Sequence, residues 1–75
     1  MSTNLEQSAA VARGLPKRQR QVLCCLANGM LVKETADKLK ISEKTVKNTR
    51  TTIYQKLCVR SGLEAVRVAC QAGIL

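Results

Sequence analysis

The stretch that decides the fold is KETADKLKISEKTVKNTRTTIYQKL, Lys33 to Leu57. It reads as a short helix, a tight turn and a longer second helix. Ile41-Ser42 is the break. Ser42 is a strong N-cap, because its hydroxyl can accept from a backbone N–H left unpaired in the first helical turn. At about 100° per residue, Val46, Thr49, Ile53 and Leu57 share one side of residues 43–57. Lys44, Lys47, Asn48, Thr51 and Gln55 share the other. That second side holds no acid and no large apolar side chain. It is rich in groups that hydrogen-bond base edges and phosphates. A helix with such a face, held by the helix before it, has the pattern of a helix-turn-helix, whose second helix enters the major groove of DNA.

The rest of the chain frames that reading. Seventy-five residues make one small domain, of a size at which stability is marginal without help. The net charge of +8 points to a polyanionic partner. The charge is localised: Lys40, Lys44, Lys47, Arg50, Lys56 and Arg60 face only Glu43 in their segment, and Arg13, Lys17, Arg18 and Arg20 form a second, acid-free run. There is no histidine, and Asp37 is the single aspartate, so a His-based triad or metal site cannot be built. Glu6, Glu34, Glu43 and Glu64 are scattered over separate elements and suggest no carboxylate pair. No catalytic residues, metal or cofactor are therefore expected. No apolar run approaches the ~20 residues of a membrane span. The N-terminus lacks a hydrophobic signal region, so a cytoplasmic chain is expected, nucleoid-associated when bound. Tyr54 is the sole aromatic residue, which argues against a base-stacking platform for single strands or RNA. It is expected to pack, with its hydroxyl within reach of a phosphate. Cys24, Cys25, Cys58 and Cys70 have no C-x-x-C spacing and read as small apolar fillers. Cys24, off the Val22/Leu23/Leu26 face, reads as a partly exposed thiol.

The segments outside the opening stretch also read as helices. Residues 1–14, polar and then alanine-rich, are expected as a flexible arm, with a loose lead-in helix as the alternative. Residues 16–28 form the first firm helix, with Pro16 in the opening turn and Gly29 as a left-handed cap. Its stripe is Gln19, Val22, Leu23, Leu26 and Ala27. Residues 32–39 turn Val32, Thr35, Ala36 and Leu39 inward. After the turn Cys58-Val59-Arg60, Ser61 to Glu64 reads as a capping box opening a last helix that Gly73 ends. On that helix Ala65, Ala69 and Ala72 make a small-residue face, and Leu63, Val66 and Cys70 make a second stripe with Arg67 at its edge. The expected fold is all-α, four helices, with no strand and no repeat.

From Leu15 to Leu75 the chain resembles the LuxR/GerE/FixJ-type DNA-binding domain of bacterial transcription regulators. The matching pieces are L-x-x-R-x-x-x-V-L at Leu15 to Leu23, L-A-x-G at Leu26 to Gly29, and K-E-x-A-x-x-L-x-I-S-x-x-T-V-K at Lys33 to Lys47. I-Y-x-K-L-x-V at Ile53 to Val59, E-A-V at Glu64 to Val66 and A-x-x-x-G at Ala69 to Gly73 follow in order. The resemblance implies a four-helix domain over residues 15–75, a recognition helix at 43–57 and dimerisation through the last helix. With the initial methionine, and with no receiver or autoinducer domain, it suggests a stand-alone small member. RNA polymerase or a larger regulator are the protein partners such a domain would meet. The chain departs from the family pattern at Pro16, Gln19 and Gln21 (usually Thr and two Glu), Leu31 (often a Ser/Thr cap), Thr49 (usually His) and Gly62 (usually Arg). These losses remove ion pairs and caps, not DNA-facing groups.

The functional expectation is a sequence-specific, double-stranded DNA-binding transcription regulator acting as a homodimer on a near-palindromic site. Lys44, Lys47, Asn48, Thr51, Gln55, Arg50 and Arg18 are its expected DNA contacts. Leu63, Val66, Arg67 and Cys70 are its expected dimer contacts. Lysines on a basic helix are ordinarily just solvated; the helix-turn-helix context favours contact for Lys44 and Lys47. Arg50 fits a phosphate clamp and core-edge packing equally well. Arg18 and Arg20 oppose the dipole at a helix start, at a cost of a few tenths of a kcal/mol, so one of them suits a phosphate. One alternative is an interaction module that heterodimerises with a larger regulator of the same type, which an acidic or truncated recognition face would betray. Another is an architectural or RNA-binding basic protein with weak sequence preference. An enzyme has no nucleophile–base pair to work with.

Overall fold

Hydroxyl caps and left-handed residues set the helix ends. The computed structural model describes residues 5–74. It contains α1 (Leu5–Arg13), α2 (Lys17–Ala27), α3 (Val32–Leu39), α4 (Glu43–Leu57) and α5 (Gly62–Ala72). Ser42 Oγ accepts from the Thr45 N–H at 3.0 Å. Ser61 Oγ accepts from the Glu64 N–H at 3.3 Å. The expected reciprocal bond of that second cap lands one residue earlier: Glu64 Oε2 takes the Arg60 N–H, at 2.9 Å. Leu31 has no capping side chain, but its own N–H donates to Glu34 Oε1 at 2.7 Å, which retains half of a capping box. Gly29 and Gly73 supply left-handed exits, at φ +76° and +73°. Lys40 and Cys58 do the same at φ 58° and 56°, where a Cβ costs about 1–2 kcal/mol.

The helical periodicity expected for α2 to α5 is present, and α4 is the hub, touching all four other helices. Leu23, Ile53, Leu57, Val22 and Val46 are the largest wholly buried apolar side chains. Each withdraws apolar area worth roughly 1.5–3 kcal/mol. In α3, Thr35 and Ala36 are buried and Val32 and Leu39 pack partly on the core, as their spacing predicts. In α4, Thr49 is only half-buried, its hydroxyl donating back to the Thr45 carbonyl at 2.7 Å. No helix among the described residues is long and apolar enough to cross a membrane.

Of the two readings of the N-terminal segment, a flexible arm and a lead-in helix, residues 5–13 take the helix, so the described helices number five rather than four. Residues 1–4 of the expected arm lie outside the described residues, whereas residues 5–13 form α1, which packs chiefly on α5. Ala9 and Ala12 of α1 are buried, as are Ala65, Val68, Ala69 and Ala72 of α5. Small side chains on both helices let two backbones lie close, so modest apolar area still excludes water. Ser8 completes the contact: its buried hydroxyl donates to the Leu57 carbonyl at 3.0 Å, satisfying one of the acceptors that the end of α4 leaves unpaired. α5 opens at Gly62. A Cβ there would stand 3.3 Å from Tyr54 Oη and 3.4 Å from a Leu26 methyl, so bare backbone lets α5 begin close to its neighbours.

Candidate DNA interface

The site starts from the turn between α3 and α4. The N–H groups of Lys40 and Ile41 both donate to the Ala36 carbonyl, closing α3. Ile41 tucks partly into the core, and Ser42 then opens α4. Because Val46, Ile53 and Leu57 are wholly buried, the rotation of α4 about its axis is fixed. Lys44, Lys47, Asn48, Thr51 and Gln55 are consequently all exposed. Lys44, Asn48, Thr51 and Gln55 run along one strip of the helix, spanning about 16 Å at 1.5 Å per residue, and Lys47 flanks it.

The chemistry of the strip is specific. Lys47 and Asn48 make no side-chain hydrogen bond to other described residues. An unengaged amide such as that of Asn48 matches the N6/N7 edge of adenine with two bonds. Thr51 donates its hydroxyl proton to the Lys47 carbonyl at 3.1 Å. It therefore presents a methyl group and hydroxyl lone pairs outward, suited to a thymine methyl or a base amino group.

Two expected contacts sit differently. Arg50 is half-buried and turned away from the exposed strip. Its Nη2 donates to the Met30 carbonyl at 2.9 Å, and its Nε is buried with no partner among the described residues. The structure thus uses Arg50 to tie α4 to the loop between α2 and α3, which favours the core-edge role over the phosphate clamp. Arg18 is exposed, and its Nη1 makes a long contact of 3.5 Å to the Leu39 carbonyl at the end of α3. It lies beside the helix-turn-helix with its charge open to solvent.

A further polar tie was invisible in the linear pattern. Lys56 Nζ donates to Gln19 Oε1 at 2.9 Å, joining α4 to α2. Gln19, one of the departures from the resembled pattern, thus supplies a neutral acceptor to the Lys56 ammonium. The helical stripe places Gln19 on the inward side of α2, but no sequence signal names Lys56 as its partner.

On α5, Ala65, Ala69 and Ala72 are buried, with Val68 beside them. Leu63 is 72% exposed, Arg67 and Cys70 are exposed and Val66 is half-buried. The expected second stripe therefore faces outward in a single copy. The filler reading of the cysteines holds for Cys25, which is buried, but not for Cys58 and Cys70, which are exposed. Cys24 is half-buried, with its thiol donating to the Ile74 carbonyl at 3.4 Å. No cluster of residues able to hold a metal occurs among the described residues.

Comparison with known proteins agrees with this geometry. Residues 13–69 match the family model described as bacterial regulatory proteins, luxR family. The transcriptional regulatory protein YdfI of Bacillus subtilis (strain 168) is 44% identical over 61 residues, 81% of this chain and 29% of that protein. The transcriptional regulatory protein FixJ of Azorhizobium caulinodans gives the same figures. The uncharacterized response regulatory protein YgeK of Escherichia coli (strain K12) is 38% identical over 60 residues, 80% of this chain and 41% of that protein. The chain thus spans 29% to 41% of the length of these curated relatives. With the ordered helices and the exposed polar strip of α4, these matches make it a DNA-binding regulator domain rather than an enzyme, and the chain belongs to the luxR family of bacterial regulatory proteins.

Proposed function

We propose that this chain binds double-stranded DNA sequence-specifically by laying α4 in the major groove, and that it does so as a homodimer on a near-palindromic site. The observation that carries the reading is the exposed, acid-free strip of Lys44, Asn48, Thr51 and Gln55 with Lys47 beside it, on a helix whose opposite face buries Val46, Ile53 and Leu57. Lys47, Asn48 and Thr51 read base edges; Lys44, Gln55 and Arg18 meet the backbone. Arg50 holds the helix at its angle through the Met30 carbonyl.

The outward stripe of α5 supports the dimer. Two copies packing Leu63, Val66 and Cys70 across a two-fold axis, with Arg67 at the rim, would remove apolar surface worth roughly 25 cal/mol per Å² from water. Such symmetry spaces two recognition helices by one DNA turn, about 10 base pairs. The stripe is short, so the dimer is weak in solution and completed on DNA. The same stripe would accept the last helix of a larger luxR-family regulator, which is the second reading.

Selection of bound fragments from a random duplex pool tests the proposal. A recovered two-fold-symmetric motif supports it; recovery of unselected sequence sinks it. A salt titration on the recovered site adds a second measure. A dimer neutralising about 6–8 phosphates gives a log–log slope of about −5 to −7. A slope near zero would remove the electrostatic docking on which the proposal depends.

A further inference from the structure

Away from the exposed strip of α4, a groove of about 550 Å³ opens between α2, the end of α3 and the segment after α5. Its floor is apolar: Cys24, Met30, Leu39 and Ile74 line it. Lys17 and Arg20 of α2 and Lys38 of α3 stand around it, all three exposed. No acidic residue lines it. Gln21 and Asn28 add amide groups to the lining. The Cys24 thiol is bonded to the Ile74 carbonyl, and the Asn28 amide nitrogen donates to the Cys24 carbonyl at 2.9 Å.

We propose that this groove binds a small amphipathic anion: a carboxylate with a hydrocarbon tail, the tail on the Cys24/Met30/Leu39/Ile74 floor and the carboxylate among Lys17, Arg20 and Lys38. Lys17, Arg20 and Lys38 line the same groove with no acid beside them, so their summed field favours a bound anion while its tail covers the floor. The volume falls in the range of small-molecule sites, roughly 300–1,000 Å³, which are apolar with a few polar groups that orient the ligand. A phosphate or sugar without a tail would leave the floor uncovered, and a neutral lipid would leave the rim unanswered. An acidic partner helix shares the charge, but it requires a run of apolar anchors over several turns, and this floor is confined to one compact patch.

The test is a titration of the free protein, with no DNA present, so its outcome is separable from that of the DNA-reading proposal. Decanoate is added while backbone amide resonances are followed, with decanol and inorganic phosphate as controls carrying only the tail or only charge. Saturable shifts centred on Cys24, Met30, Leu39 and Ile74 are expected with decanoate. In R20A/K38A, whose side chains are exposed and outside the core, apparent affinity should fall by about tenfold while helical circular dichroism is unchanged. Several results would overturn the assignment. One is the absence of saturable shifts; another is shifts centred on the Leu63/Val66 stripe. Equal shifts with phosphate would make the rim a bare anion contact, and equal shifts with decanol would make the rim irrelevant. If an acidic amphipathic peptide moves these resonances and decanoate does not, the groove takes a protein segment instead.

Discussion

α4 and α5 are both amphipathic, both begin at a serine cap and both end at a left-handed residue. They differ on both faces. The inner face of α5 is entirely apolar and small, with Ala65, Val68, Ala69 and Ala72 buried against a domain that includes α1. The surroundings of α4 are less comfortable. Thr35 Oγ1, on the α3 helix that packs on it, and Arg50 Nε on α4 itself are buried with no partner among the described residues. An unsatisfied buried polar group costs about 1–3 kcal/mol. Outward, α4 shows polar groups that water solvates well, whereas α5 shows Leu63 and part of Val66. The two helices thus divide the labour. One carries a polar outer face on a partly unsatisfied support; the other combines a well-packed inner face with an apolar outer stripe left exposed.

The most severe way to break this contrast is to remove the anchor that sets the rotation of α4. Ile53→Ala should cost 2–5 kcal/mol, by lost burial and the cavity left behind, visible as a large drop in the urea midpoint. Little or no change in that midpoint would mean that α4 is not held by its inner face. Next in size is the outer face of α4. Lys47→Ala should lose about 1–3 kcal/mol at the selected site and less on random duplex, with thermal stability unchanged. An equal loss on both DNAs would reduce Lys47 to a phosphate contact. Third is the outer face of α5. Val66→Glu should weaken cooperative occupation of two half-sites by about tenfold, or about 1.4 kcal/mol, while helical circular dichroism stays nearly intact. Protection of both half-sites at unchanged concentration would retire the α5 dimer. The smallest effect sharpens the difference between the inner faces. Thr35→Val keeps the shape and deletes the unpaired hydroxyl, so it should stabilise the domain by about 1 kcal/mol. Destabilisation would show that the hydroxyl has a partner, such as a buried water.

Features set by neighbours along the chain were legible in the sequence. Ser42 and Ser61 announce helix starts because a cap hydroxyl reaches only two or three residues on. Gly29 and Gly73 announce helix ends because a left-handed exit is easiest without a Cβ. The apolar spacing of Val46, Ile53 and Leu57 determines which side of α4 is dry, and therefore that Lys44, Asn48, Thr51 and Gln55 are wet. The alanine face and the outward stripe of α5 follow from the same periodicity.

Tertiary structure decided whatever depends on partners far apart in the chain. Residues 5–13 carry little intrinsic signal; they form a helix that buries Ser8, Ala9 and Ala12 because α5 offers a complementary small-residue face and because Ser8 meets the Leu57 carbonyl 49 residues away. Arg50 could be placed at the edge of the stripe from its number alone, but only the Met30 carbonyl, 20 residues back, shows that it turns inward. Gln19 and Lys56 are 37 residues apart and individually unremarkable. The cation-rimmed groove exists only where α2, α3 and the segment after α5 converge. Local rules act over one helical turn, which is why periodicity and caps identified α4 and its exposed face. Docking and long-range hydrogen bonds act through space, and they alone settled which polar side chains support that helix.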